Sequence, residues 1–160
     1  MMFRRSGWDR APTAPAGVLL ASTGTPFSRA AVRRAYELAA GEPVAVLSIL
    51  KVYGSSFGLP NPGLMPTRSE RDEQYAIVRR AIAAVERRGG AADGQIAATR
   101  SAGRTIAKVA LRRRVRYVVM DDSAASGLRR VTEGAVTATV RRRLGGKATL
   151  ELVGLGTRIS

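Results

Sequence analysis

Short, nearly unbroken apolar runs alternate along this chain with longer stretches of helical period, and few folds accept that pattern. Gly17 to Ala21 (GVLLA) is the first run, and Ser22-Thr23-Gly24-Thr25-Pro26 follows it at once. An apolar run bounded by turn chemistry predicts a buried strand leading into a loop. From Ser28, a residue suited to cap a helix, Val32, Tyr36 and Ala39 fall on one face until Gly41 stops the period. Val44 to Leu50 is the second run, with the continuity of a strand buried on both faces. Residues 53–66 (YGSSFGLPNPGLMP) concentrate Gly and Pro and read as a long loop, either a lid or a disordered excursion.

The second half repeats the alternation. Arg68 to Arg88 predicts a long amphipathic helix with Tyr75, Val78, Ile82 and Val85 inward, ended by Gly89-Gly90. Gln95 to Thr99 is a weak strand. Arg104 to Arg114 is a helix with Ile106, Val109 and Ala110 inward, and Arg116 to Met120 (RYVVM) is a strong strand. Asp121 to Arg130 is polar and small, as in a loop. Thr132 is placed to cap a fourth helix carrying Val136, Val140 and Leu144, stopped by Gly145-Gly146. Ala148 to Val153 is the last strand. The order β-α-β-α-β-α-β-α-β implies parallel βαβ units with right-handed crossovers. The expected class is α/β, a doubly wound, mostly parallel sheet with helices on both faces. At 160 residues there is room for one domain, expected over 16–153. Residues 1–15 read as a flexible arm and 154–160 as a tail. The arm holds Trp8, either a docking anchor or a loosely packed residue.

The composition removes whole classes of chemistry. The chain has no Cys, hence no disulfides, thiolate nucleophiles or iron–sulfur clusters. It has no His, hence no Ser-His-Asp or Cys-His machinery and no imidazole metal ligand. No catalytic residue and no metal site is expected. No apolar run approaches the ~18 residues of a membrane span. No apolar segment follows Arg4, Arg5 and Arg10 as a signal peptide requires, and a cytoplasmic protein is expected.

The formal charge is +15, and all but three of the 27 cations (Lys51, Lys108, Lys147) are Arg. One reading is a polyanion surface, with nucleic acid as partner, on Arg104–Arg114 and Arg141–Arg143. The other is a set of solvated helix faces, since the arginines spread over several helices without interleaved aromatics.

Neither G-x-x-x-x-G-K-[ST] nor G-x-G-x-x-G follows the first strand, so neither a P-loop nor an ordinary dinucleotide site is indicated. Asp121-Asp122 is the one adjacent acidic pair. It lies where a strand meets a loop, a functional location in open α/β sheets, although Asp also serves plain turns.

GVLLASTGTPFS at the start, the long loop after Val44–Leu50, and RYVVMDDSAASGLRRVTEGAVTATV near the end together resemble the universal stress protein family. The resemblance covers roughly residues 16–153. It implies a five-stranded sheet of order 3-2-1-4-5, usually in a homodimer. In some members ATP binds in the crevice between the first and fourth strands. Those members carry Gly-x2-Gly-x9-Gly-[Ser/Thr] after the fourth strand. Here Asp121 stands at the first position, Ala124 at the second, Gly134 at the third and Ala135 at the fourth, so one of the four is kept. The family's Asp after strand one is matched by Thr23, followed by a matching Gly24, and the backbone near Ile49 would lie by the adenine.

These departures share a physical direction. Phosphates bind where backbone N–H groups approach closely at a helix N-terminus, which Gly permits and Ala124 restricts. A carboxylate at ~4 Å from a phosphate charge costs roughly 4 kcal/mol at an effective dielectric of ~20. The hydroxyl missing at Ala135 removes a hydrogen bond worth about 1.5–3 kcal/mol. Arg129 and Arg130, or a divalent ion on Asp121, would offset part of this.

The first reading is therefore a small regulatory or interaction protein of stress response that does not bind ATP in the family manner, with no cofactor. The second is an ATP or AMP switch whose rewired pocket uses Thr23, Gly24, Ile49, the loop Asp121–Gly127 and Gly134. The third is the polyanion-binding module. Ala148–Val153 alternates apolar and polar residues at a sheet edge. Pairing with a second copy in a twofold dimer would cover it, as would the tail folding back.

Overall fold

The computed structural model describes residues 11–52, 55–56, 59–60, 66–122 and 128–154. Trp8, Ala124, Gly127 and the tail after Gly154 lie outside them. Strand β1 is Val18–Ser22, β2 Val44–Lys51, β5 Ala92–Thr99, β6 Tyr117–Asp122 and β7 Thr149–Gly154. They form one parallel sheet of order β5-β2-β1-β6-β7. Counted by these five strands alone, that is the expected 3-2-1-4-5.

The helices are α1 (Arg29–Ala39), α2 (Arg68–Arg87), α3 (Ala102–Arg112) and α4 (Leu128–Leu144). Val18, Leu20, Val44 and Val46 pack on α1 and α2. Leu19, Ala45, Leu47 and Ile49 pack on α3 and α4 on the other face. The two apolar runs are continuous because alternate residues of each strand enter opposite cores.

The loop expected over 53–66 contains a small antiparallel pair, β3 (Ser55–Ser56) with β4 (Leu59–Pro60). Sheet strand β5 starts three residues before the expected Gln95. Ala92-Asp93-Gly94 looks like a turn, yet Gly94 is there because α2 presses on the strand. A Cβ on Gly94 would lie 2.4 Å from Val78 Cγ1. Strand β6 runs two residues further than expected, through Asp121 and Asp122, which pair with Val153 and Gly154. Helix α4 begins at Leu128, a turn before the expected cap Thr132.

Helix α2 is opened by a reciprocal cap between Thr67 and Glu70. Its buried stripe is Gln74, Ile77, Val78, Ala81, Ile82 and Val85; Tyr75 is only half-buried. Val78, Ile82 and Val85 are buried as expected, and Gln74 takes the inward place expected of Tyr75.

The amino ends of the strands are closed by Arg113, which is 1% exposed. Its Nη1 and Nη2 donate to Asp93 Oδ1 and Oδ2 at 2.8 and 2.7 Å, and its Nε donates to the Ala14 carbonyl. The Ala16 N–H donates to the Arg113 carbonyl at 2.9 Å. Residues 14–16, at the end of the expected arm, are thus tied to the fold. Near the β7 edge, the Arg34 Nε of α1 donates to Glu151 at 2.5 Å. That hydrogen bond is the main reason the Arg34 pKa rises above its ordinary value.

Candidate functional site

In a doubly wound sheet, ligands bind outside the carboxyl ends of the strands where the strand order reverses. Here the chain leaves β1 through α1 for β2 on one side, and later enters β6 on the other. The switch point therefore lies between Ser22 and Asp121. It is bounded by the loop 23–28, the end of β2 and the end of β6.

The first loop is held in one shape by its own polar groups. The Ser22 hydroxyl donates to the Thr25 carbonyl at 2.5 Å, and the Thr25 N–H donates back to Ser22 Oγ at 3.0 Å. Gly24 lies between them with φ +108°, a conformation that other residues resist. The Ile49 carbonyl oxygen is 3.4 Å from where a side chain on Gly24 would begin. Thr23 and Gly24 are half-buried, and Ile49 is wholly buried.

Gln74 enters the same region from α2. Its Nε2 donates to the Gly24 carbonyl at 3.0 Å, and its Oε1 accepts from the hydroxyl of the fully buried Ser48. One amide thus bridges the β1–α1 loop and the body of β2. The sequence reading did not single out Gln74 or Ser48. The available signal was period: Gln74 precedes Ile77 and Val78 by one turn, on the inner stripe.

Asp121 reaches the first turn of α1. Its Oδ2 accepts from the Ser28 N–H at 3.0 Å, and its Oδ1 accepts from the Ser28 hydroxyl. Ser28 Oγ in turn accepts from the Ala31 N–H at 3.0 Å, which caps the helix. The carboxylate therefore occupies the positive end of α1 and ties β6 to the β1–α1 loop. Asp122, next in the strand, is exposed.

Gly134 and Ala135 are exposed on α4, and nothing lies within 4 Å of a Cβ built on Gly134. Gly134 sits about 9 Å along the helix from Leu128, at ~1.5 Å per residue. It is past the four N–H groups that a helix leaves free at its start. Thr23, Gly24, Ile49 and Asp121 thus gather at the switch point, whereas Gly134 and Ala135 lie up the helix. Among the described residues, no group of three or more carboxylates is placed to hold a metal ion. No helix among them is long and apolar enough to cross a membrane.

The model of the universal stress protein family matches residues 17–144. Solved structures of similar fold include a universal stress protein from Lactobacillus plantarum, with a TM-score of 0.66 at 15% identity over 88% of this chain and 99% of that one. A universal stress protein in complex with cAMP gives 0.61 at 19% identity, covering 88% and 98%. One from Archaeoglobus fulgidus in complex with dAMP gives 0.56 at 15% identity, covering 86% and 96%. No curated protein sequence matches the chain.

Proposed function

The chain belongs to the universal stress protein family, and from that premise we propose a small cytoplasmic regulatory protein of stress response that does not bind ATP in the family manner. It has no catalytic centre in this reading and works by contact with a protein partner. One observation carries the reading. The residue at the first glycine position of the phosphate motif is Asp121, and its carboxylate is fixed at the α1 N-terminus by Ser28. A triphosphate entering the crevice would meet that charge. The free amides of α4, which open the helix at Leu128, come well before the one motif glycine that is kept.

A second reading is supported by the relatives solved with cAMP and dAMP. A nucleoside monophosphate carries less charge past Asp121, and Gly24 keeps the backbone beside Ile49 open to close approach. On that reading the protein is an adenine-nucleotide switch with a rewired pocket.

Calorimetry on nucleotide-stripped protein, with ATP, AMP and cAMP and with or without Mg²⁺, separates the two. The first reading expects no heat at millimolar nucleotide. Micromolar binding of AMP or cAMP that is lost on blocking the first loop with Thr23→Trp establishes the second. Micromolar ATP binding defeats the first outright.

We also propose that the functional unit is a homodimer joined through the edge strand β7. Thr149 is exposed there, and Glu151, Leu152 and Val153 are half-buried. Light scattering reads the mass, and Leu152→Pro, which removes an edge N–H donor, should shift a dimer toward monomer.

A further inference from the structure

A groove of about 650 Å³ runs between α1 and α2 on the outer surface of the fold. Its floor is apolar and mostly small: Phe27, Ala30, Val32, Ile77, Ala81 and Ala84. Its rims are cationic. Arg29 and Arg33 stand on the α1 side; Arg80, Arg87 and Arg88 stand on the α2 side. All five are exposed, and among the described residues no carboxylate lines the groove. Arg33 approaches Glu37 at 4.0 Å, a pair open to solvent on both sides. The other four form no ion pair among the described residues. Pro26 and Phe27 of the β1–α1 loop reach this groove, but Thr23, Gly24, Ile49 and Asp121 do not line it.

We infer that this groove is a docking site for an acidic amphipathic helix of a protein partner. An apolar strip between two cationic rims matches a helix with an apolar stripe flanked by Glu or Asp on both sides. The α2 wall from Ile77 to Arg88 spans about 17 Å at ~1.5 Å per residue, room for about three turns of such a helix. Close approach of the incoming backbone is allowed by the alanines at 30, 81 and 84.

The chain itself supplies no suitable cover. Its net charge is +15, and its densest acidic stretch, Glu70, Asp72 and Glu73, is interleaved with Arg68 and Arg71. Residues 1–10 carry three arginines against one aspartate, and residues 155–160 carry one arginine and no acid. A second copy or a folded-back terminus would bring positive charge to positive rims. A nucleic acid is the poorer occupant as well. Single strands are held by stacking on aromatic rings, and the groove has Phe27 alone among alanines and aliphatics.

The test uses the full chain and a fluorescein-labelled helical peptide of about 14 residues, with Leu and Ala on one face and Glu on both flanks. Two controls accompany it: a peptide of the same composition with its Leu and Ala dispersed around the helix, and an oligothymidine of equal charge. Fluorescence anisotropy should show binding of the patterned peptide that weakens with salt. The double reversal Arg33→Glu/Arg87→Glu should weaken it by about tenfold or more. Circular dichroism checks that the variant is folded, and Arg29→Glu/Arg80→Glu serves if it is not. The inference is overturned if the patterned peptide does not bind, or if folded reversal variants bind it unchanged. Equal binding of the dispersed peptide or of oligothymidine overturns it too, because either would mark a general polyanion surface.

Discussion

At the amino ends of the strands, Arg113 is sealed between the Asp93 carboxylate and the Ala14 carbonyl. At the carboxyl ends, Gln74 and Asp121 hold the β1–α1 loop through Ser48, Gly24 and Ser28. Both ends join distant parts of the chain by partly or wholly buried polar groups. They differ in what removal would leave behind. The amino end has an ion pair with one fully buried member, 2% exposed against 38% for Asp93. The carboxyl end has a buried neutral amide bridge and, on a helix end, a half-buried carboxylate. The first should therefore govern stability. The second should govern the shape and charge of the place where a ligand would enter.

The largest effect that would test this contrast is at Arg113. Arg113→Met keeps much of the buried volume but leaves the Asp93 carboxylate and the Ala14 carbonyl without their donor. Losing the three hydrogen bonds of the guanidinium should cost about 3 kcal/mol, after a discount because water reaches the Asp93 side. Arg113→Lys should restore little, since an ammonium cannot reproduce the two parallel bonds to one carboxylate. Asp93→Asn should cost at least as much, because it leaves the buried Arg113 guanidinium without its counter-charge. Urea denaturation of the three variants gives the ranking. A loss below about 1 kcal/mol for Arg113→Met would mean the pair is no more than a surface contact.

A smaller effect belongs to the amide bridge. Gln74→Leu leaves the buried Ser48 hydroxyl without its acceptor and should cost about 2 kcal/mol. Adding Ser48→Ala should return much of that loss, since removing both partners of a buried hydrogen bond is cheaper than removing one. The coupling read from this double-mutant cycle distinguishes a true bridge from two independent packing sites. Strict additivity would contradict the bridge.

How much of this was readable beforehand follows from what each residue does. The buried strands came through because Val18–Ala21, Val44–Leu50 and Val118–Met120 had to be apolar on both faces, whereas the sheet order was implied by the family resemblance. Strand β5 came through in part. Asp93 and Gly94 look like turn residues, but one faces Arg113 and the other yields room to Val78. Both reasons are tertiary and have no local signature. Arg113 was hidden in the run Arg112-Arg113-Arg114, where a solvated face is the ordinary expectation. Its one clue was spacing: it follows Ile106, Val109 and Ala110 at the next inward position. Gln74 was hidden in the same way, as a polar residue on an apolar stripe. At the switch point, Thr23, Gly24, Ile49 and Asp121 were found through the family resemblance. That Asp121 binds Ser28 was not legible, because the two are 93 residues apart and meet only when β6 lies beside β1.

The smallest effect is the most informative about function. Asp121→Asn keeps the size and a hydrogen-bonding oxygen but removes the charge at the α1 N-terminus. The expected loss is about 0.5–1 kcal/mol at low ionic strength, shrinking as salt is added, as for other charges at helix ends. The same change removes the repulsion that an entering phosphate would meet. If Asp121 is what keeps nucleotide out, AMP should bind the variant more tightly than the parent chain, and titration calorimetry would show it. If Asp121→Asn instead destabilises as much as Arg113→Met and leaves nucleotide binding unchanged, the two ends are alike. The carboxylate is then one more brace, and the crevice is closed by its shape, not by its charge.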